Sequence, residues 1–75
     1  MIESVNGYKV IAYIPYSPHD PDCAVVICDR EREYDRYAVW TVATDNGVTE
    51  AWNGWYGNSY ARAEKVAMER VGYNV

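Results

Sequence analysis

The 75-residue sequence predicts an α+β fold, a small antiparallel β-sheet of about four strands with one C-terminal helix packed on one face, in the order β-β-β-β-α. Three observations predict it. Runs rich in β-branched and aromatic residues recur through the first half of the chain. An Asp45-Asn46-Gly47 turn joins two such runs as a hairpin. Only the residues after Asn58 place apolar side chains at helical spacing.

The first strand covers residues 8–14. Alternation puts Val10, Ala12 and Ile14 on one face and Lys9, Ile11 and Tyr13 on the other. Pro15 ends it, and Pro15, Pro18 and Pro21 make residues 15–22 an irregular connection. The second strand covers 24–28, nearly all apolar and therefore central. Residues 29–36 are mostly charged and have no stripe for a helix to bury. As a hairpin arm they would sort Asp29, Glu31, Glu33 and Asp35 to one side and Arg30, Arg32, Tyr34 and Arg36 to the other. The charge pattern favours instead a solvated loop of self-cancelling charge.

The third strand covers 37–44 and the fourth 48 to about 52. Asn46-Gly47 accepts the positive φ angles of a type I′ turn, which pairs Thr44 with Thr49, Val42 with Ala51, Thr41 with Trp52 and Trp40 with Asn53. Residues 53–58 are a turn-rich connection. A helix begins near Ser59, capped by Asn58 or Ser59. Its apolar arc is Tyr60, Ala61, Ala63, Val66, Ala67, Met68 and Val71; Arg62, Lys65 and Glu69 form the wet face, and Gly72 stops it. A single helix covers one sheet face, so the other must be solvated or covered by a partner.

The length fits one domain spanning residues 1–75, with a lean core because so short a chain buries only about 60% of its unfolded surface. A net charge of −4 argues against non-specific attraction to nucleic acid and is too small for a nucleic-acid mimic. No run of about 18 apolar residues spans a membrane. Met1-Ile2-Glu3-Ser4 lacks signal-peptide features, so the expected compartment is the cytoplasm. Cys23 and Cys28 sit in one strand segment, which separates their Cα atoms by roughly 16 Å and points the side chains to opposite faces. A disulfide needs about 7 Å or less, so both are expected as thiols. With one histidine they are too few for zinc, and no metal or other cofactor is expected.

No catalytic constellation emerges. His19 is an exposed loop histidine beside Asp20 and Asp22. Asp45 reads as a turn residue and Glu50 as a solvent-facing strand residue rather than an acid/base couple. Gly54, Gly57 and Asn58 precede a helix without a phosphate-loop pattern. The informative oddity is eight tyrosines and three tryptophans with no phenylalanine. Aromatics with a polar edge suit half-wet positions and binding hot spots. The candidate protein-binding residues are Trp52, Trp55, Tyr56, Tyr13, Tyr16, Tyr34 and Tyr37, whereas Trp40 is expected in the core. Arg30, Arg32 and Arg36, with nearby tyrosines, are candidates for single-stranded nucleic acid.

Residues 57–67, Gly-Asn-Ser-Tyr-Ala-Arg-Ala-Glu-Lys-Val-Ala, resemble the sheet-to-helix junction of the double-stranded RNA-binding domain, which implies RNA binding. That family has a lysine cluster where this chain has Arg62 and Lys65, and a first helix without a counterpart here. The same stretch resembles HicB-type antitoxin domains, although their Pro-Gly-Cys turn is missing. Residues 37–44 with the following Trp55-Tyr56-Gly57-Asn58-Ser59 resemble short uncharacterised bacteriophage and actinobacterial proteins over the last half of the chain. That resemblance implies a phage accessory role in the host cytoplasm, inhibiting a host or defence protein by direct binding. The expectation is therefore a non-enzymatic protein-binding module using a Tyr/Trp-rich surface; the alternatives are a nucleic-acid-binding domain using the Arg/Tyr segment and a structural homodimer subunit.

Overall fold

Each strand returns antiparallel beside its predecessor. The computed structural model describes residues 2–17 and 20–72. Five strands, β1 (Ser4–Val5), β2 (Tyr8–Ser17), β3 (Asp20–Asp29), β4 (Tyr37–Asp45) and β5 (Val48–Gly57), form one sheet in chain order, followed by α1 (Tyr60–Arg70). This is the predicted α+β architecture with one strand more than expected. The extra strand arises because Asn6-Gly7 repeats the chemistry of Asn46-Gly47. Asn6 and Gly7 have φ of 52° and 83°, Asn46 and Gly47 have 52° and 78°, and two consecutive positive values are what a type I′ turn requires.

Three strand boundaries differ from the sequence reading. β2 does not stop before Pro15, which lies opposite Ala24. Pro15 lies beyond the reach of β1 on an edge strand, where a missing N–H costs least. The strands therefore extend into the segment expected to be irregular, with Ser17 opposite Asp20. β5 runs on to Gly57 instead of ending at Trp52, because a bulge absorbs the turn-forming residues. Thr41 faces Trp52 and Val39 faces Trp55, so Asn53 and Gly54 together oppose Trp40 and the expected Trp40–Asn53 pair does not form. Asn53 has φ of 59°, a conformation asparagine tolerates well. The predicted pairs Thr44–Thr49, Val42–Ala51 and Thr41–Trp52 do form.

A second bulge, at Ile11, divides β2. Val10 is opposite Cys28, but Ala12 is opposite Ile27. The slip separates Val10 from Ala12 and Ile14: Val10 and Tyr13 pack on the side opposite the helix, while Ala12 and Ile14 pack beneath it.

Ser59 is the N-cap, its Oγ accepting the Arg62 N–H at 3.2 Å. Gly72, with φ of 85°, follows the last turn, and its N–H donates to the Glu69 carbonyl at 3.1 Å. The helix packs against β3, β4 and β5. Ala63 and Ala67 are fully buried, so the backbone lies close to the sheet. Tyr60 and Ala61 are exposed, which makes the buried stripe narrower than the predicted arc.

Both faces of the middle of the sheet, residues 24–28 and 38–42, are dry. Residues 24–28 have no exposed surface at all. On the helix side Val25, Ile27 and Val39 pack with Ala63 and Ala67. On the opposite side Ala24, Val26, Cys28, Ala38, Trp40 and Val42 pack with Val5, and Ile2, Tyr8, Val10, Tyr13 and Ala51 close over them. That face was expected to be solvated or partner-covered. Its own aromatic layer covers it. The Trp40 Nε1–H donates to Tyr56 Oη at 3.3 Å, and a Cβ on Gly54 would lie 2.8 Å from Trp40 Nε1. Gly54→Ala is therefore expected to destabilise the fold by about 1–3 kcal/mol through overpacking. Urea unfolding followed by tryptophan fluorescence checks this, and an unchanged midpoint would mean that the bulge relaxes freely.

Candidate protein-binding surface

The aromatic layer opposite the helix is assembled by strand alternation. Tyr8 stacks on Trp40 at 6.1 Å between ring centroids, and Tyr56 meets Trp40 edge to face at 5.9 Å. The Arg30 guanidinium lies 4.7 Å from the Tyr56 centroid and 5.7 Å from that of Tyr8. Its Nε and Nη2 donate to the Asp35 carbonyl at 3.0 and 2.7 Å. Cation and rings thus satisfy one another and close the core.

Residues 30–36 form a loop, not a hairpin arm, and an ion pair ties its two ends. Arg36 Nε and Nη2 donate to the two carboxylate oxygens of Asp29 at 2.9 Å each. The Glu31 N–H donates to Asp29 Oδ1 at 2.9 Å, and the Arg36 N–H donates to Asn58 Oδ1 at 3.0 Å. Asn58 therefore anchors the loop to the start of the helix. The Arg36 hydrogen bonds, then the Glu31 N–H, hold the Asp29 carboxyl down to about 2 from 3.8. A depressed carboxyl contributes stability that is fully present above pH 3.8 and lost as pH falls toward about 2. Asp29→Asn is expected to be less stable at pH 7 and to lose that part of the acid sensitivity. Denaturant midpoints for both proteins between pH 7 and pH 2 check this; parallel profiles would refute it.

The other aromatic grouping lies on the helix side, beyond the C-terminal end of α1. Register places Trp52 opposite Thr41, Glu50 opposite Ala43 and Val48 opposite Asp45. Alternation from Val25 puts Cys23 on the same side, and alternation from Ile14 adds Tyr16. The strands outrun the helix here and leave a ledge. Val48 is 63% exposed, Trp52 47% and Tyr16 37%, while Cys23 and Ala43 are half-buried between them. Ala43, Asp45, Val48 and Glu50 line a depression of about 220 Å³ on it.

Arg70 borders the ledge. Its Nη1 donates to Thr41 Oγ1 at a long 3.5 Å. Among the described residues no carboxylate pairs with it, and most of its N–H donors lack a protein acceptor. Burial pulls the guanidinium below its ordinary range, with nearby Tyr16 opposing the shift. It stays charged at any ordinary pH.

The structure thus divides the candidate residues. Trp52 and Tyr16 both lie on the ledge, on β5 and β2 with β3 and β4 between them. Tyr56 and half-buried Tyr13 belong to the opposite face. Trp55 packs into the helix-side core rather than on the surface, as does Tyr37, whose ring meets Tyr60 edge-on at 5.5 Å. Tyr34 stands 68% exposed in the loop. Arg30 lies against Tyr8 and Tyr56 on one face and Arg36 against Tyr37 on the other, so with Arg32 they build no common platform. Sequence reasoning missed Val48 and Arg70. The signal was present for Val48, an apolar residue beside a turn and in register with Asp45. For Arg70 there was none, because its burial depends on where the helix ends over the sheet.

His19 lies outside the described residues. A cleft of about 600 Å³ follows the Ile11 bulge, with Glu3 and Lys9 as its charged lining residues. Among the described residues no helix is long and apolar enough to cross a membrane. The chain matches no protein-family model, no curated protein sequence and no solved structure.

Both cysteines are free thiols, and they differ. Burial pushes the Cys28 thiol up to about 11, whereas half-buried Cys23 lies on the ledge. A thiol reagent at pH 8 is expected to modify Cys23 in the folded protein and Cys28 only on unfolding. Equal rates for the two, read by mass spectrometry, would contradict this placement.

Proposed function

We propose that this chain is a non-enzymatic protein-binding module that docks its partner on the ledge beyond α1. The observation that carries the reading is the pairing of exposed apolar side chains with an unpaired cation. Exposed Tyr16, Val48 and Trp52 share the ledge with a half-buried guanidinium that has no carboxylate partner among the described residues. Binding hot spots are built this way, from aromatic and arginine anchors that become dry on docking. The aromatic layer on the other face is engaged in closing its own core, and Arg30 and Arg36 are engaged by Asp35 and Asp29. That leaves the nucleic-acid alternative without a geometric argument.

The phage resemblance extends the proposal to a biological use. In that reading the chain acts in the host cytoplasm and blocks a host or defence protein sterically, a task that needs no catalytic residue.

Cross-linking capture from host lysate tests the module. Trp52→Ala is expected to lose the captured protein while Tyr34→Ala, in the loop, retains it. Capture that survives Trp52→Ala, or no capture by the wild type, would overturn the assignment of the ledge.

A further inference from the structure

We propose that the ledge also receives a second copy of this chain, forming a two-fold dimer in which Arg70 of each copy faces Glu50 of the other. The inference rests on the ledge being a protein-binding surface and names an occupant.

The argument is complementarity of the ledge with itself. Its middle row is Cys23, Ala43 and Glu50; exposed Trp52 lies in the row beside Thr41 and exposed Val48 in the row at the turn, with exposed Tyr16 on β2. Its ends carry opposite charges. Among the described residues Arg70, at the helix end, has only Thr41 as a partner, and Glu50 and then Asp45, successively nearer the hairpin turn, form no ion pair. A two-fold axis through such a patch sets each end against the opposite end of the other copy, which is what an isologous interface requires. Trp52 beside Arg70 of one copy then packs over the Glu50 row of the other, and both cations acquire carboxylates as they dry.

The sheet edges are interrupted as routes to a dimer. β2 carries the Ile11 bulge and Pro15, and β5 carries the bulge at Asn53 and Gly54. Bulges and edge prolines interrupt the row of free N–H and C=O groups that strand pairing needs.

The expected dimer is weak. A stable interface covers about 800 Å² per partner, against a total surface of 5067 Å² for this chain. The ledge residues supply less than that, and each copy carries a net charge of −4 that repels the other at long range. Self-association is therefore concentration-dependent, and a heterologous partner on the same ledge displaces the second copy.

Sedimentation velocity over a concentration series tests this with wild type, Glu50→Arg, Arg70→Glu and an equimolar mixture of the two variants. Wild type is expected to shift from monomer toward dimer. Each variant sets like charges together and is expected to dimerise roughly tenfold more weakly or worse. The mixture is expected to regain the dimer, because a heterodimer restores opposite charges at both contacts. Circular dichroism confirms that the variants fold. If Arg70→Glu does not, Glu50→Arg at its exposed strand position and Trp52→Ala still carry the test, both weakening the dimer. A wild type that stays monomeric throughout, or a dimer indifferent to these substitutions, overturns the proposal. A monomer that still captures a lysate protein through Trp52 removes only the second copy as occupant. A monomer that captures nothing removes the protein-binding reading as well.

Discussion

The constraint on which the structure depends is the burial of both faces of β3 and β4 in a chain with one helix to cover them. Residues 24–28 and most of β4 are dry. Burying each valine or isoleucine is worth about 1.5–3 kcal/mol only if water is kept from it. Alanines 63 and 67 bring α1 close enough to seal one face. Nothing comparable exists for the other, and there the large rings substitute for a second layer. Trp40 spreads over the small residues Ala24, Ala38 and Cys28, with Tyr8 stacked on it and Tyr56 against its edge. Tyrosine fits this role where phenylalanine would not, because the outer rim of so thin a layer stays wet.

That arrangement explains the bulge in β5. A regular strand would have carried Asn53 opposite Trp40 and moved Tyr56 to the helix side. The extra residue flips the alternation after Trp52, so Trp55 turns under the helix and Tyr56 turns toward Trp40. The Ile11 bulge does the same for β2, turning Tyr13 to the aromatic layer and Ala12 to the helix. Each bulge lets one strand serve different cores at its two ends. Each also lies on an edge strand, where it discourages open-ended pairing.

The ledge is the other side of this economy. α1 ends at Arg70, before the strands do, so the last rows of the helix-side face are left without cover by the helix. A surface unfinished in this way is apolar because the strands need apolar residues, and it is charged at its ends because a helix terminus and a turn border it. The proposed binding function follows from where the cover stops rather than from any special motif.

Much of this was legible in the residues alone. The α+β class, the Asn46-Gly47 hairpin with three of its four expected pairs, the Ser59 cap and the Gly72 stop all follow from local rules of period, turn and capping. Asn6-Gly7 carried the same turn signal, and β1 could have been read from it. The bulges could not, because one extra residue leaves composition and propensity unchanged and is selected only by which core each ring must enter. Nor could the fate of the aromatics. The sequence by itself determined that there were more tyrosines and tryptophans than a small core needs. Tertiary structure alone decided which of them close a face, as Tyr8 and Tyr56 do, and which remain on the ledge, as Trp52 and Tyr16 do. The reason is that exposure depends on the length of the helix relative to the sheet, a relation between elements distant in the chain that no local pattern records.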